Sequence, residues 1–201
     1  GLVRQTGNPR MAWDAYRRLV ASYGEVVAGL PASLFEAEID RVTQGQDERL
    51  LDFSQLRQLT RSFLGLYETH AGRPFPQDAR EQLSGAIEAV FASWNADKAV
   101  QYRRIHQIDH DMGTAVILQR MVFGNTGGHS GAGVGFSRDP GTGEPRLWVD
   151  FLANAQGADV VSGRRNAHGH ATLAAVAPEA WKQLQASAQA LEQHFQDMED
   201  F

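Results

Sequence analysis

The chain has 201 residues, enough for one large domain or two small ones, and 42% of them are hydrophobic, which can fill a core and excludes wholesale disorder. A net charge of -5 and a pI near 5.8 argue against nucleic acid as a partner, because phosphate backbones need a basic surface. The absence of cysteine excludes disulfide and thiolate chemistry. No apolar run approaches the roughly 18 residues of a membrane-spanning helix, and Gly1-Leu2-Val3-Arg4 is no signal peptide. The expectation is a cytoplasmic protein whose sequence, lacking an initiating Met, starts inside a longer product or after tag removal. Of 19 basic residues only Lys98 and Lys182 are lysines, so a phosphate-binding lysine has few candidates.

Tyr16, Leu19, Val20, Tyr23 and Val27 share one helical face, and Gly29 and Pro31 end that segment. Residues 43–49 are polar and loop-like. Leu56, Leu59, Phe63, Leu66 and Tyr67 form a second apolar stripe, stopped by Gly72-Arg73-Pro74-Phe75-Pro76. Leu83, Ile87, Val90, Phe91 and Trp94 predict a third helix, and residues 98–112 a fourth, with Ala99, Tyr102, Ile105 and Ile108 on one side.

The texture changes at Gly113. Thr114–Gln119 and Met121–Phe123 predict a buried strand, and a glycine-rich loop is expected from Gly124 to Gly135. Phe136–Arg138 and Leu147–Phe151 read as strands around the reversal Asp139-Pro140-Gly141-Thr142-Gly143. Val160 and Val161 suggest a further short strand. A last helix should begin near Pro178, with Trp181, Leu184, Ala188, Leu191 and Phe195 as its apolar stripe. Helices followed by mixed strand and helix indicate the α+β class.

Consecutive glycines between Gly124 and Val134 let main-chain N–H groups turn inward around an anion such as a phosphate. The stretch has no Gly-Lys-Ser/Thr and no following helix, so neither a Walker loop nor a dinucleotide fingerprint fits. Read locally, a hairpin with ordinary turn glycines is the stronger alternative. His106 and His110 are four apart and could face one metal, but HQIDH lacks the glutamate of a metalloprotease helix, so packing or surface histidines are favoured. His168 and His170 suggest no third ligand, and His129 among glycines proves little. Asp197, Glu199 and Asp200 follow the last apolar helix; they could hold magnesium or form a solvated acidic tail, and locally the tail leads. Trp13, Trp94 and Trp181 are read as core residues.

Several stretches together resemble one family. Gly7-Asn8-Pro9-Arg10-Met11-Ala12-Trp13-Asp14-Ala15-Tyr16-Arg17-Arg18 resembles the GNERFAWDSYRR segment of the pyruvate phosphate dikinases. Phe75-Pro76-Gln77-Asp78 with Glu81-Gln82-Leu83, and then Ala89–Trp94, resemble that family's FPQDP and AVF.SW segments. Gly113–Gln119 with Met121–Asn125 resembles GTAVNVQ.MVFGN, and Ser130–Val134 resembles SGTGV. Asn154–Gly157 with Asp159–Gly163 resembles NAQGEDVVAG, and Asp197–Phe201 resembles DMQD followed by an apolar residue. The matches keep the family order over nearly the whole chain.

The resemblance implies an internal part of an ATP-grasp fold, two α/β lobes that grip ATP. Residues 1–76 would be an inserted helical subdomain, 77–122 the returning part of the first lobe, and 123–201 most of the second. It implies ATP and Mg2+ as ligands. The full enzyme would move a phosphoryl group from ATP to a histidine and on to pyruvate, giving phosphoenolpyruvate, with phosphohistidine and pyruvate-binding domains as the chain's partners. Gln119, Met121 and Val122 would line the adenine pocket. Ser130, Gly131 and Gly133 would lie over the phosphates, Asp150 would stand at the nucleotide site, and Asp200 would be a metal ligand.

The departures from the family pattern are Ala132 for threonine, Asp150 for glutamate and Ala158 for glutamate. The phosphate-clamping lysine and arginine and the acceptor histidine motif have no match in the chain. No turnover is therefore expected from it alone, and the alternative is a degenerate, non-catalytic module for nucleotide sensing or scaffolding. An exposed sheet edge would favour a homodimer.

Overall fold

The computed structural model describes residues 1–161, 168–197 and 199–201. The architecture is α+β, as the order of sequence patterns implied. The chain divides into two compact units, Gly1–Gln119 and Arg120–Phe201.

The first unit is helical: α1 Leu2–Thr6, α2 Pro9–Val26, α3 Ala32–Thr43, α4 Phe53–Ala71, α5 Ala79–Ser93 and α6 Asp97–His106. Helix ends follow local chemistry. The Asn8 side chain accepts from Met11 N at 2.9 Å ahead of Pro9. Asp52 and Gln55 form a reciprocal capping box at the start of α4, and Gly72 ends that helix in the left-handed region. Helices α2, α3 and α4 enclose a core of Val20, Tyr23, Phe35, Leu56, Leu59, Phe63 and Tyr67, closed by Phe75 from the loop after α4. Phe75 meets the rings of Tyr23 and Tyr67 edge-on, both with centroids 5.3 Å away. Such pairs add about 1 kcal/mol each beyond the area they bury. A buried ion network fastens α2 to the turn before α4: Arg17 contacts Asp14 at 2.7 Å and Glu48 at 3.0 Å.

The second unit holds a three-stranded antiparallel sheet in the order β1 Gly131–Phe136, β2 Trp148–Ala153, β3 His168–Gly169. Its helices are α7 Gly157–Val161, α8 His170–Val176 and α9 Pro178–Phe195. Val149, Phe151 and Leu173 form the core, with Trp181 and Leu184 of α9 packed against it. Arg138 beyond β1 makes an ion pair with Glu192 of α9 at 2.7 Å.

Five expectations are corrected. Residues 114–123 form no strand: Ile117 is 88% exposed and Val122 87%, and no described segment supplies the ladder that a strand requires. The second half of the glycine-rich stretch is strand β1, because β2 pairs with it from Gly131↔Ala153 to Phe136↔Trp148. Val160 and Val161 are helical in α7, where Asp159 Oδ2 accepts from Gln156 N at 2.9 Å and starts a turn that overrides β propensity. Residues 98–112 are not one helix; α6 stops at His106, with Gln107 left-handed and Ile108 N bonded back to Arg103 O. Leu83, Val90 and Phe91 keep their helical spacing but are 37–50% exposed rather than buried. Helix α3 was not foreseen, although Phe35, Ile39 and Val42 carry its apolar stripe.

Candidate nucleotide-binding site

Antiparallel pairing decides which side chains of the second unit share a face. Successive side chains alternate, and directly paired residues point the same way. Gly131, Gly133 and Gly135 therefore lie on the face of Phe151 and Val149, toward α8 and α9. Ala132, Val134 and Phe136 lie on the other face, together with Asp150, which pairs with Val134. Asp200 pairs with Phe136 in an isolated antiparallel bridge, so it too belongs to the Asp150 face. Glu199, one residue earlier, points to the opposite face, so these two neighbouring carboxylates do not act as a pair.

The two aspartates flank β1 from opposite sides. Two strand spacings of about 4.8 Å and a two-residue offset separate their Cα atoms by roughly 12 Å. One ion cannot be bound directly by both, and among the described residues no group of three His, Asp or Glu side chains could hold a metal. The exposed Asp200 offers a single carboxylate. That fits magnesium only in the mode where one or two carboxylates and substrate phosphates share the ion.

The loop before β1 is tied by one hydroxyl. Ser130 Oγ accepts from Thr126 N at 2.9 Å and Gly127 N at 3.1 Å, and it reaches Gly124 O and Gly127 O, both at 2.8 Å, as donor. Gly124 anchors the loop's base: its carbonyl accepts from Ala155 N, and a Cβ there would strike the carbonyl oxygens of Ala155 and Gly131. The loop is thus pre-shaped, with two of its N–H groups gathered on one oxygen. A cavity of about 370 Å3 opens between this loop, the glycine face of β1 and helices α8 and α9. Ser130, Gly131 and Gly133 line it, whereas Asp150 does not.

The remaining expected residues fall as follows. Gln119 closes the first unit, and Met121 and Val122 open the second; all three side chains are exposed. His129 is exposed in the loop. His106 stacks on Tyr102 with ring centroids 4.2 Å apart, and His110 Nδ1 pairs with Arg103 Nη2 at 2.9 Å, so helical spacing no longer relates the two histidines. Trp13 and Trp181 pack partly buried against their cores, and Trp94 lies under the Arg103 guanidinium at 3.8 Å. Ser162, Gly163 and Met198, like the side chains of His168 and His170, lie outside the described residues.

Two residues given no role by sequence reading stand out at the base of the site. Gln156 is 9% exposed and its Nε2 has no partner among the described residues. Asn154 is held left-handed at φ 49°, with Oδ1 likewise unpartnered. The signal for both was the Asn154–Gly157 motif itself.

The family described as pyruvate phosphate dikinase, AMP/ATP-binding domain, matches residues 57–170. Over its whole length the chain is 43% identical to pyruvate, phosphate dikinase of Clostridium symbiosum and covers 23% of that protein. It is 42% identical to the chloroplastic enzyme of Mesembryanthemum crystallinum, covering 21%, and 40% identical to pyruvate, phosphate dikinase 2 of Zea mays, covering 23%. The chain therefore spans about a fifth of the length of these curated relatives. Among the described residues no helix is long and apolar enough to cross a membrane.

Proposed function

The chain belongs to the pyruvate phosphate dikinase AMP/ATP-binding family, and on that premise we propose that it forms part of the ATP site of a dikinase-like phosphotransferase. The parent would pass a phosphoryl group from ATP to a histidine and then to pyruvate, in the cytoplasm, through phosphohistidine and pyruvate-binding domains. In this reading residues 1–76 are a helical subdomain, 77–122 belong to the first ATP-grasp lobe and 123–201 to the second. Gln119, Met121 and Val122 serve the adenine, and the loop with Ser130, Gly131 and Gly133 serves the phosphates.

The observation that carries the proposal is the shared face of β1 and β2. Asp150 and Asp200 flank the strand that follows the loop, on the side away from α8 and α9. Magnesium bound there by Asp200 would neutralise the charge of phosphates that lie on the Asp150 face beside the loop, and not of any group in the cavity toward α8 and α9. Phosphoryl transfer depends mainly on such positioning and neutralisation. Lys182 is engaged with Glu179 at 2.9 Å on α9, and the only other lysine, Lys98, lies in the first unit. This supports nucleotide binding without turnover by this chain alone.

Calorimetric titration with Mg-ATP tests the reading. Binding that weakens at least about tenfold in Asp200→Ala and in Asp150→Ala is expected, since charge-assisted contacts are worth about 1.5–3 kcal/mol. Binding indifferent to both substitutions would sink it. Ala132 favours a second reading, a non-catalytic sensing or scaffolding module, because a methyl stands on the Asp150 face where the family resemblance implies a hydroxyl. Histidine phosphorylation by the intact parent would rule that second reading out.

A further inference from the structure

A serine hydroxyl has one proton to donate and two lone pairs to accept with, so three hydrogen bonds exhaust it. Ser130 reaches that limit inside its own loop. Its Oγ accepts from Thr126 N at 2.9 Å and from Gly127 N at 3.1 Å, which fills both lone pairs. Its one proton goes to Gly124 O or to Gly127 O, each 2.8 Å away. The main chain adds a parallel tie, because Ser130 N donates to Gly127 O at 3.1 Å. The segment after β2 fixes both ends of the loop: Asn154 N donates to Ser130 O at 2.7 Å and Ala155 N to Gly124 O at 2.9 Å. Turning the hydroxyl out toward a ligand would strip the acceptor from the Thr126 and Gly127 amides together, since one oxygen serves both. No phosphate oxygen could then take the vacated position. It lies one C–O bond from the Ser130 Cβ, and the main-chain bonds on Ser130 N and O hold that carbon in place.

From this saturation we infer that Ser130 is a positioning residue: its hydroxyl sets the course of the main chain over residues 124–130 and makes no contact with the nucleotide. The inference rests on the nucleotide reading above and narrows it. It takes the Ser130 side chain and the Thr126 and Gly127 amides out of the set of groups that meet phosphate, and it leaves the rest of the loop's main chain. A loop shaped before the ligand arrives loses less freedom on binding, so the same contacts give a higher affinity. Contact and positioning differ in what the two amides do when nucleotide binds. A hydroxyl that turns to a phosphate leaves Thr126 N and Gly127 N without their acceptor. A hydroxyl that positions the loop keeps both.

The test is amide hydrogen exchange by NMR on the full chain, with and without saturating Mg-ATP, alongside calorimetric titration. In the unsubstituted chain, exchange at Thr126 and Gly127 is unchanged or slower once Mg-ATP is bound. Faster exchange at both would mean that the hydroxyl has turned to the ligand, and would overturn the inference. In Ser130→Ala without ligand, exchange at both amides speeds up while Val134, paired with Asp150 in the sheet, keeps its protection. The affinity of that variant for Mg-ATP falls about tenfold, the scale of the ordering cost that the hydroxyl removes. Unchanged affinity beside faster exchange would make the hydroxyl a structural tie alone. Unchanged exchange, or loss of protection at Val134, would show that it does not act on the loop in particular. Each of these results overturns the inference and leaves the nucleotide reading standing. Absence of Mg-ATP binding by the unsubstituted chain would instead sink that reading and this inference together.

Discussion

Replacing Gly131 by alanine probes the site through its packing. A Cβ at Gly131 would run into the Phe151 ring and come within 2.7 Å of the Leu152 carbonyl oxygen. The ring has the neighbouring cavity to move into. The carbonyl belongs to β2, and it moves only by distorting the sheet. Overpacking of this kind costs about 1–3 kcal/mol, and the reduced freedom of the unfolded alanine chain returns about 0.4–1 kcal/mol. The net expectation is a loss of about 1–2 kcal/mol confined to the second unit. In a unit of this size that lowers the Tm by roughly 5–15 °C. Gly141→Ala is the control: its nearest atom, Asp139 Oδ1, is 3.4 Å away, an ordinary contact, and the change should stay within about 0.5 kcal/mol. Thermal and urea unfolding followed by tryptophan fluorescence reads both units, because Trp148 and Trp181 report the second and Trp13 and Trp94 the first. If Gly131→Ala matches the parent chain within 0.5 kcal/mol, Phe151 and Leu152 do not close over this strand, and the face assignment built on that register fails with it.

In the first unit, Asp14→Ala leaves the buried Arg17 guanidinium with Glu48 as its remaining carboxylate partner; a loss of about 3 kcal/mol in urea unfolding is expected, and a loss below 1 kcal/mol would refute the role assigned to the network. The Glu192 carboxyl is held below its usual range by hydrogen bonds from Arg138 and then Ser137, so its contribution is fully present above the unfolded value of about 4.3 and is lost as pH falls through the lowered folded value. Glu192→Gln should therefore lower the Tm at pH 7, only modestly because Arg138 is 40% exposed, and the difference should close on titration toward pH 3. A difference that stays constant with pH would mean the pair is not what joins α9 to the hairpin.

What could be read in advance was local. The stripe of Leu56, Leu59, Phe63 and Tyr67 specified a helix because helical periodicity needs no distant partner, and Asp52, Gly72 and Pro178 marked helix ends by chemistry within a few residues. The ordered motifs also carried the family, since identity spread over the whole chain survives errors in any one element. Pairing was not legible. Thr114–Phe123 is richer in β-forming residues than Gly131–Phe136, yet only the latter is a strand. A strand is defined by a neighbour that the sequence does not name, and here β2 lies beside the glycines. The same pairing separated the candidate site residues. Ser130, Gly131 and Gly133 were grouped from one motif and do share a cavity. Asp150 and Asp200, 50 positions apart, were brought to one face only by the register of two ladders, and that register also sent Glu199 to the other face. Side-chain alternation turns a shift of one residue into a change of face, so the sequence alone determined the family and supplied the candidate residues, and the tertiary pairing decided which of them stand together.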